Sequence, residues 1–456
     1  MNKLSAADTS SLTGHVFHPG DPGWDDARQA WNLAVDQNPE LVVQAETAAD
    51  IAAAVRFAAD RGLAVTAQGP GHAAGAHSSL EGMVLVRTTR MTGVKVDAAA
   101  GTARVQAGAE SVELADAAGE HGLSGLGGSA PDVGVTGYTL GGGIGWLARR
   151  HGLACNRITG VELVTADGEV RQVDAQSDPD LLWALKGGGG AFGIVSSLEL
   201  SLVEVGELYG GMVAWPIEAS ADLLAAFREW TATAPRELTS SLRFLNLPPF
   251  PDIPEPLRGK SVMALTAAHL GSEGEGREAL APMLGIADPL LDGMGPIPPA
   301  ALSRIHGDPE QPTPGIADSV VLDALEADTA DALLELAGPG SGNPLLAVEL
   351  RQLGGALAEA PEDAGALAAL DGAFALGCVG VPMDVSAAQA VHAHQAGLRE
   401  AMAPWTSERS YLNFAESVVD TAVGFDADAY RRLREIKAKV DPTDVIRSDH
   451  PIPPAG

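Results

Sequence analysis

The sequence predicts an α+β protein in which a glycine-rich N-terminal region is followed by an antiparallel sheet covered by helices. The chain has 456 residues, which exceeds one ordinary hydrophobic core and favours two domains or one interrupted domain. Strands alternate with helices and glycine clusters up to about residue 205. From residue 206, short and half-polar strands are separated by helices, a pattern typical of an antiparallel sheet with one covered face. The expected parts are therefore residues 1–205, residues 206–405 and a tail, 406–456.

The first region opens with a helical pattern over residues 25–35 and a strand–helix–strand unit. Strands are predicted at 41–43 and 63–66, with the helix Ala48–Arg61 between them. Thr47 is a favourable N-cap for that helix, and apolar residues recur inside it at the spacing of one helical face. This unit therefore supplies the first layer of strand and helix.

The remaining elements follow the same two periodicities, of two residues for strands and 3.6 for helices. Further strands are predicted at 83–86, 94–107 (a hairpin), 161–165, 169–173, 194–203, 212–216, 242–245, 262–266, 319–322, 345–352 and 373–379. Further helices are predicted at 111–120, 178–185, 220–233, 276–284, 329–336, 387–402 and Ala427–Val440. The pair Asp167-Gly168 is a strong signal for a two-residue hairpin turn.

Composition excludes several classes of function. The formal net charge is −31, and such an acidic chain repels phosphate backbones and anionic lipid, so we expect neither a nucleic-acid nor a membrane partner. The N-terminus lacks an apolar core of signal-peptide length, and no run approaches 18 apolar residues, so we expect a cytoplasmic protein. Cys155 and Cys378 lie far apart among apolar neighbours, which favours two buried reduced thiols and supplies no metal cluster.

Three glycine clusters before residue 200 indicate places where the backbone approaches something closely or bares its N–H groups. They lie at 69–75, with His72 at the apex of the turn, at 125–145 and at 187–193. Successive free N–H groups bind anions, so a pyrophosphate fits this need. The dinucleotide pattern GxGxxG and the P-loop pattern are both poor matches. The alternative is that the clusters are only tight turns and that His72 is incidental.

The order and spacing of these motifs carry a family resemblance. They comprise the Gly71-His72 turn, 127–134 (GGSAPDVG), 137–146 (GYTLGGGIGW), 183–193 (WALKGGGGAFG), 411–413 (YLN) and 452–454 (IPP). The chain resembles the berberine-bridge-enzyme-like flavoprotein oxidases of the vanillyl-alcohol oxidase / p-cresol methylhydroxylase group, and in particular bacterial members of the nicotine-oxidising type. The resemblance covers nearly the whole chain, although the middle third carries little of it.

The resemblance implies FAD, held by residues 1–205 together with the returning tail, and a substrate domain, 206–405, that covers the flavin ring. The histidine that matches His72 is bonded covalently to the flavin in the family. The resemblance also implies flavin contacts from Gln68, Gly69, Pro70, Gly71, Ala73, Ala74, Ala130, Pro131, Val133, Gly134, Gly137, Gly141, Gly142, Gly143, Gly145, Trp146, Ile194, Val195 and Asn413.

The chain departs from the family pattern at several positions. Many relatives attach the flavin a second time through a cysteine where this chain has Ala130, so we expect a single attachment, through His72. Many relatives carry a tyrosine base where this chain has Phe414, and a phenyl ring cannot accept a proton. Lys186, Ala191 and Gln68 also replace the usual residues, which bears on cofactor contacts and not on the fold.

The candidates for chemistry lie in the substrate domain and beside the flavin segments. Glu349 and Arg351 alternate along one predicted strand, so both side chains point the same way; the matching strand faces the flavin in relatives, and the alternative is a solvated charged face. Tyr138 and Tyr411 could line the pocket, or pack in the core. Trp31 matches a position that borders the active site in the nicotine-oxidising relative, while a helix tryptophan is more often core.

The sequence therefore predicts an FAD-dependent oxidase. A small organic substrate, such as an amine, an alcohol or a secondary-metabolite intermediate, would give hydride to flavin N5, and O2 would be reduced to H2O2. Because neutral amines need no strong base, the loss of the tyrosine tilts the prediction toward amines. The alternatives are an oxygenating or ring-forming enzyme of natural-product biosynthesis and a flavin-binding protein without turnover. We expect a monomer or homodimer without a metal.

Overall fold

The computed structural model describes residues 9–77 and 79–456. Its first sheet has the order β1-β2-β4-β3, in which β2, β4 and β3 run parallel and β1 is antiparallel to β2. The strands are β1 (His15–Phe17), β2 (Leu41–Gln44), β3 (Ala64–Gln68) and β4 (Met83–Arg87). Helix α1 (Trp24–Arg28) precedes β2, and helix α2 (Ala48–Arg61) lies between β2 and β3. The apolar stripe of α2 packs on this sheet, as its spacing predicts.

The second sheet is antiparallel throughout and has the order β5-β6-β10-β8-β9. Its strands are β5 (Val94–Asp97), β6 (Thr102–Gln106), β8 (Ile158–Val164), β9 (Val170–Asp174) and β10 (Ile194–Ser201). A two-stranded ribbon pairs β7 (Leu123–Ser124) with β11 (Val203–Glu204). The predicted hairpin around Asp167-Gly168 is confirmed as β8–β9, but the two-residue turn is wrong: residues 165–169 connect the strands, and the amide of Thr165 donates to the carbonyl of Glu169 at 3.1 Å.

The third sheet has eight strands, all paired antiparallel, which confirms the prediction for the middle of the chain. Seven strands follow the order β15-β12-β14-β13-β18-β19-β17, and β16 also pairs with β12. The strands are β12 (Leu208–Pro216), β13 (Leu238–Asn246), β14 (Ser261–Leu270), β15 (Leu291–Asp292), β16 (Gly295–Pro296), β17 (Ile316–Leu322), β18 (Ala347–Gln352) and β19 (Phe374–Gly380).

Four helices cover one face of the third sheet: α7 (Ser220–Thr231), α8 (Glu273–Leu284), α9 (Ala327–Ala337) and α10 (Val385–Met402). Their apolar residues share a buried core with Leu242 and Phe244 of β13 and with Val348 and Leu350 of β18. Side chains alternate along a strand, so the residues between these four project from the opposite face of the sheet. That opposite face, which these four helices do not cover, carries the polar residues considered below.

The other helices are α3 (Ser111–Gly119), α4 (Val135–Leu140), α5 (Ala148–His151), α6 (Pro179–Leu185) and α11 (Ala427–Val440). Arg149, on α5, fastens the first region to the third sheet: its guanidinium donates to the carbonyls of Leu353 and Pro235, both at 2.9 Å. Cys155 and Cys378 are free and buried, as predicted. Among the residues described, no helix is both long enough and apolar enough to cross a membrane.

Several predicted boundaries differ from the structure, and two of the differences have a clear physical cause. The helix predicted over 25–35 is wrong beyond Arg28, because Gln29 turns the backbone to an extended conformation and Trp31 instead donates its amide to the carbonyl of Pro70. The helix predicted over 276–284 begins earlier, at Glu273. Ser272 and Glu275 form a reciprocal capping box there, in which the Ser272 amide donates to Glu275 Oε2 at 2.8 Å.

Candidate functional site

His72 lies on a turn that follows β3 and faces a second loop. Gly71 takes φ +98°, and a Cβ there would lie 2.9 Å from the side chain of Gln68, so this corner of the turn requires glycine. The ring of His72 stacks on Trp31 with 4.1 Å between centroids, and its Nε2 lies 3.2 Å from the carbonyl oxygen of Asp132. Trp31 donates its indole N–H to the carboxylate of Asp132. The His72 turn (69–74) and the facing loop (129–134) are thereby held together.

Both of these segments bare backbone N–H groups. In the described part of the chain, the amides of Gly71, His72 and Ala73 donate no hydrogen bond, nor do those of Ser129, Ala130 and Asp132. The two segments are in close contact, since a Cβ on Gly134 would lie 2.9 Å from the ring of Pro70. Two adjacent rows of free amides form a concavity suited to an anionic group.

In the remainder of the second cluster and at the start of the third, glycine amides are used internally, so close approach is the need that applies there. The amides of Gly141 and Gly142 donate to Gly137 and Thr139, and that of Gly189 donates to Leu140. Glycine is required here by close packing instead: a Cβ on Gly141 would lie 1.9 Å from Oδ1 of Asn413. Gly141 and Gly142 therefore make room for Asn413 and Tyr411 of the tail.

The tail brings Tyr411 and Asn413 against the second glycine cluster. The Tyr411 hydroxyl accepts the amide of Gly143 at 2.7 Å, and Nδ2 of Asn413 donates to the carbonyl of Tyr138 at 2.8 Å. Burial raises the pKa of the Tyr411 phenol above its ordinary value, so this group stays protonated. Tyr411 packs edge-on against Phe414, with 4.8 Å between ring centroids.

Glu349 and Arg351 lie on the same face of β18, as the alternation predicts, and form an ion pair with Arg351 Nε 3.0 Å from Glu349 Oε1. They oppose Arg243 and Ser241 of β13 in the sheet register. These four residues form the charged face of the third sheet. The face is largely buried, with Arg351 only 7% exposed, so the alternative of a solvated surface fails.

Two functional candidates on the charged face were not predicted from the sequence. His306 and Asp308 come from the loop between β16 and β17: His306 Nδ1 lies 2.7 Å from Asp308 Oδ1, and its Nε2 lies 3.3 Å from Glu349 Oε1. Burial alone would raise the pKa of Glu349, but the charges of Arg351 and His306 outweigh it and hold the pKa well below its usual range. Arg243 completes the group by donating to the carbonyl of His306 at 2.7 Å.

The charged face meets the facing loop directly. Nη2 of Arg351 lies 3.3 Å from the hydroxyl of Ser129, and its guanidinium sits over the rings of Trp146 and Phe414 at 5.4 and 5.7 Å. Residues from the first region, the third sheet and the tail therefore converge at one place.

Several predicted site residues lie away from this convergence or are already engaged. The hydroxyl of Tyr138 donates to the carbonyl of Leu126 at 3.0 Å, which favours the packing interpretation. Ile194 and Val195 are buried in two hydrophobic cores. Gln68 accepts a hydrogen bond from Arg87, a buried residue that the sequence did not single out.

Two family models match the chain. Residues 39–174 match "FAD binding domain", and residues 410–453 match "Berberine and berberine like". The chain therefore contains an FAD-binding domain and a C-terminal segment of the berberine and berberine-like type. The two matched segments contain the His72 turn, the facing loop and the tail residues that meet the second glycine cluster.

Relatives of this chain include oxidases. It is 34% identical over 206 residues to (R)-6-hydroxynicotine oxidase of Paenarthrobacter nicotinovorans, covering 45% of each chain. It is 36% identical over 250 residues to glucooligosaccharide oxidase of Sarocladium strictum, covering 52% of this chain and 48% of the relative. The chain thus spans about half the length of these curated relatives.

A solved relative establishes the fold. The crystal structure of 6-hydroxy-D-nicotine oxidase from Arthrobacter nicotinovorans matches with a TM-score of 0.84 at 23% identity, covering 99% of this chain and 100% of that one. The predicted vanillyl-alcohol-oxidase-type FAD-binding fold is therefore confirmed.

The residues present fit FAD. The free amides of the His72 turn and the facing loop suit the pyrophosphate of the dinucleotide, and Gly137 has open space where a Cβ would stand. His72 is neutral over most of the working range, because burial lowers its pKa more strongly than the charge of Asp132 raises it. The site therefore offers an anion cradle and an uncharged imidazole side by side.

Proposed function

We propose that the protein is an FAD-dependent oxidase of small organic molecules. The observation that carries the proposal is the contact between Arg351 and Ser129, which sets the charged face of the third sheet against the loop that faces His72. A cofactor cradle and a polar face with an ionised carboxylate are thus adjacent. The relatives named as hydroxynicotine oxidase and glucooligosaccharide oxidase support the same class of reaction.

We propose further that FAD is attached covalently, and only through His72. A carbonyl oxygen can only accept a hydrogen bond, so the contact with Asp132 places the proton on Nε2 of His72 and leaves the lone pair on Nδ1. No thiol is placed for a second attachment, because Ala130 stands at that position and Cys155 and Cys378 are both buried elsewhere.

Bound FAD would supply the redox chemistry. It would accept a hydride from a substrate C–H bond and pass the electrons to O2, which yields H2O2. The chain would supply orientation and a place for the proton. Glu349 is held as a carboxylate, and within the described structure its three hydrogen-bonding contacts all fall on Oε1. Its Oε2 is left to accept a hydrogen bond from an amine or hydroxyl of the substrate. Phe414 cannot act as a base, which favours substrates that react while neutral, such as amines.

Oxygen consumption and peroxide formation over a panel of amines and alcohols test the proposed activity. Turnover with stoichiometric H2O2 is expected for at least one class. Incorporation of labelled oxygen into the product would replace the oxidase by an oxygenating enzyme, and the absence of turnover across the panel would leave a flavin-binding protein.

Acid precipitation tests the covalent attachment. The native protein should give a yellow pellet, and His72→Ala should release the flavin into the supernatant. His121→Ala, which changes an exposed histidine, is the matched control and should keep the pellet yellow. A colourless native pellet would refute the attachment.

Glu349→Gln tests the carboxylate. We expect turnover on the substrate found in the panel to fall by about 100-fold, within the range of positioned acid–base groups. Glu359→Gln, which removes an exposed carboxylate paired with Arg236, should leave turnover unchanged. Unaltered turnover in Glu349→Gln would remove this residue from the mechanism.

A further inference from the structure

The loop between β16 and β17 places a histidine between two carboxylates. His306 Nδ1 lies 2.7 Å from Asp308 Oδ1, and His306 Nε2 lies 3.3 Å from Glu349 Oε1. The imidazole is buried, with its side chain 5% exposed, while Asp308 and Glu349 are 28% and 19% exposed. A buried ring thus joins two partly exposed carboxylates.

Hydrogen-bond chemistry fixes the protons on this ring. An ionised carboxylate only accepts hydrogen bonds, so satisfying both contacts requires a proton on each ring nitrogen of His306. Arg243 Nη1 also lies 3.4 Å from Nδ1, but a protonated Nδ1 cannot accept from it. The closer contact with Asp308 prevails, and Arg243 donates instead to the His306 carbonyl and to Thr266 Oγ1, at 2.7 and 3.1 Å.

The charges around His306 come from three segments. Its own loop supplies Asp308, β18 supplies Glu349 and Arg351, and β13 supplies Arg243. The ring of Trp146 closes another side at 5.5 Å between centroids. Two carboxylates contact the ring nitrogens directly, which offsets the cost of burying a charged imidazole.

We propose that Asp308 and His306 are a positioning pair for Glu349. Asp308 holds His306 as an imidazolium, whose Nε2–H fixes Oε1 of Glu349, keeps the carboxylate ionised and leaves Oε2 to accept from the substrate. The pair acts through Glu349 and touches neither substrate nor cofactor. The inference deepens the proposed function and rests on it for the identity of the substrate, while the state of the ring is independent of turnover.

The protonation of His306 can be measured without a substrate. Long-range ¹H–¹⁵N correlation spectra of the ¹⁵N-histidine-labelled holoenzyme at pH 7.5 distinguish an imidazolium from a neutral ring, and His306→Gln assigns the signal by its loss. We expect His306 to be doubly protonated in the native protein and neutral in Asp308→Asn. A neutral ring in the native protein, or a ring unaffected by Asp308→Asn, would overturn the proposal.

The pH profile of kcat/KM, on the substrate found in the panel, tests the effect on Glu349. Asp308→Asn and His306→Gln each remove the positive charge beside Glu349, so the acid limb of the profile should move up by about one pH unit. Asp308→Glu should restore it. An acid limb at the same pH in all of these variants would overturn the proposal.

Glu310→Gln is the matched control for charge, because Glu310 lies on the same loop, pairs with Arg304 at the surface and does not contact His306. It should change neither the ring spectrum nor the profile. A protein that turns over nothing in the panel would refute the proposed function, while the ring spectrum would still decide whether the pair holds its proton.

Discussion

The His72 turn and the charged face meet at one site but are built in opposite ways. The turn and the facing loop use backbone: free amides, a glycine at φ +98° and a histidine held by a main-chain carbonyl. The charged face uses side chains that neutralise one another, with Glu349 contacted by Arg351, His306 and Ser241. One half suits a constant group, the dinucleotide, while the other can change residue by residue as the substrate changes.

The largest loss of stability is expected where the tail is fastened to the first region, which contains the His72 turn and the facing loop. Lys437 and Asp441 form a fully buried ion pair at 2.6 Å, and Lys437 also donates to the carbonyls of Ala191 and Ile446. Lys437→Met leaves Asp441 charged and unpaired, so the free energy of unfolding should fall by about 3–5 kcal/mol. Urea denaturation measures the loss.

The control for Lys437 lies on the same helix. Arg431→Met breaks an exposed pair with Asp428, and surface pairs contribute at most about 1 kcal/mol. Equal losses of stability in the two variants would show that the buried pair does not fasten the tail.

A smaller loss of stability is expected at Arg149, which joins the first region to the third sheet. Arg149→Met removes the guanidinium hydrogen bonds to the carbonyls of Leu353 and Pro235, which should lower the free energy of unfolding by about 2–3 kcal/mol. Calorimetry should then resolve two transitions where the native protein shows one. Arg150→Met, which changes the neighbouring exposed residue paired with Glu237, should keep a single transition.

The third prediction concerns the pH dependence of flavin attachment, in which the direction of the shift in the acid limb tests the role of Asp132. Burial lowers the pKa of His72, while the charge of Asp132 raises it, so the neutral ring persists above that lowered pKa and is lost below it. Asp132→Asn removes the larger of the two opposing charges, the other being that of Asp308, and the pKa of His72 should fall further. The acid limb of covalent incorporation should therefore move to lower pH.

Incubation of apoprotein with FAD between pH 5 and 8, followed by acid precipitation, measures this limb. Asp116→Asn, on the exposed side of α3, should leave it in place. A limb that moves to higher pH in Asp132→Asn would contradict the assigned role of Asp132.

The smallest effect is expected at Tyr138. Its hydroxyl donates only to the carbonyl of Leu126, so Tyr138→Phe should cost about 1 kcal/mol of stability and leave turnover unchanged. Tyr411→Phe should cost more, because the buried amide of Gly143 loses its acceptor. Urea denaturation of both variants gives the order, and a loss of turnover in Tyr138→Phe would return this residue to the mechanism.

Sequence predicts the cofactor half better than the charged face for a physical reason. Backbone requirements appear as local sequence motifs, so Gly71 and the segment 127–134 can be recognised without knowing what they contact. The pair Glu349 and Arg351 was also accessible, because strand alternation puts both on one face. His306 and Asp308 lie in no such local motif, because their partners are on β13 and β18 and only the tertiary fold brings them together.

The same limit explains the errors. The helical pattern over residues 25–35 is real in sequence, but Trp31 gains more from stacking on His72 and bonding to Asp132 than from another helical turn. The glycines at 141–143 indicate close approach correctly, but not that the approaching group is the chain's own tail. In both cases a distant segment decides the local structure.

The tail has a consequence for biosynthesis. The amide of Val65 donates to the carbonyl of Val445 at 2.8 Å, and the amide of Arg447 donates to the carbonyl of Val65 at 2.9 Å. The edge of the first sheet is therefore completed by residues that are synthesised long after β3 itself. The first region is synthesised earlier, and the edge strand β3 stays incompletely paired while the middle region is made. We expect nascent chains that lack residues 445–447 to remain without flavin, and cofactor loading to follow the synthesis of that segment.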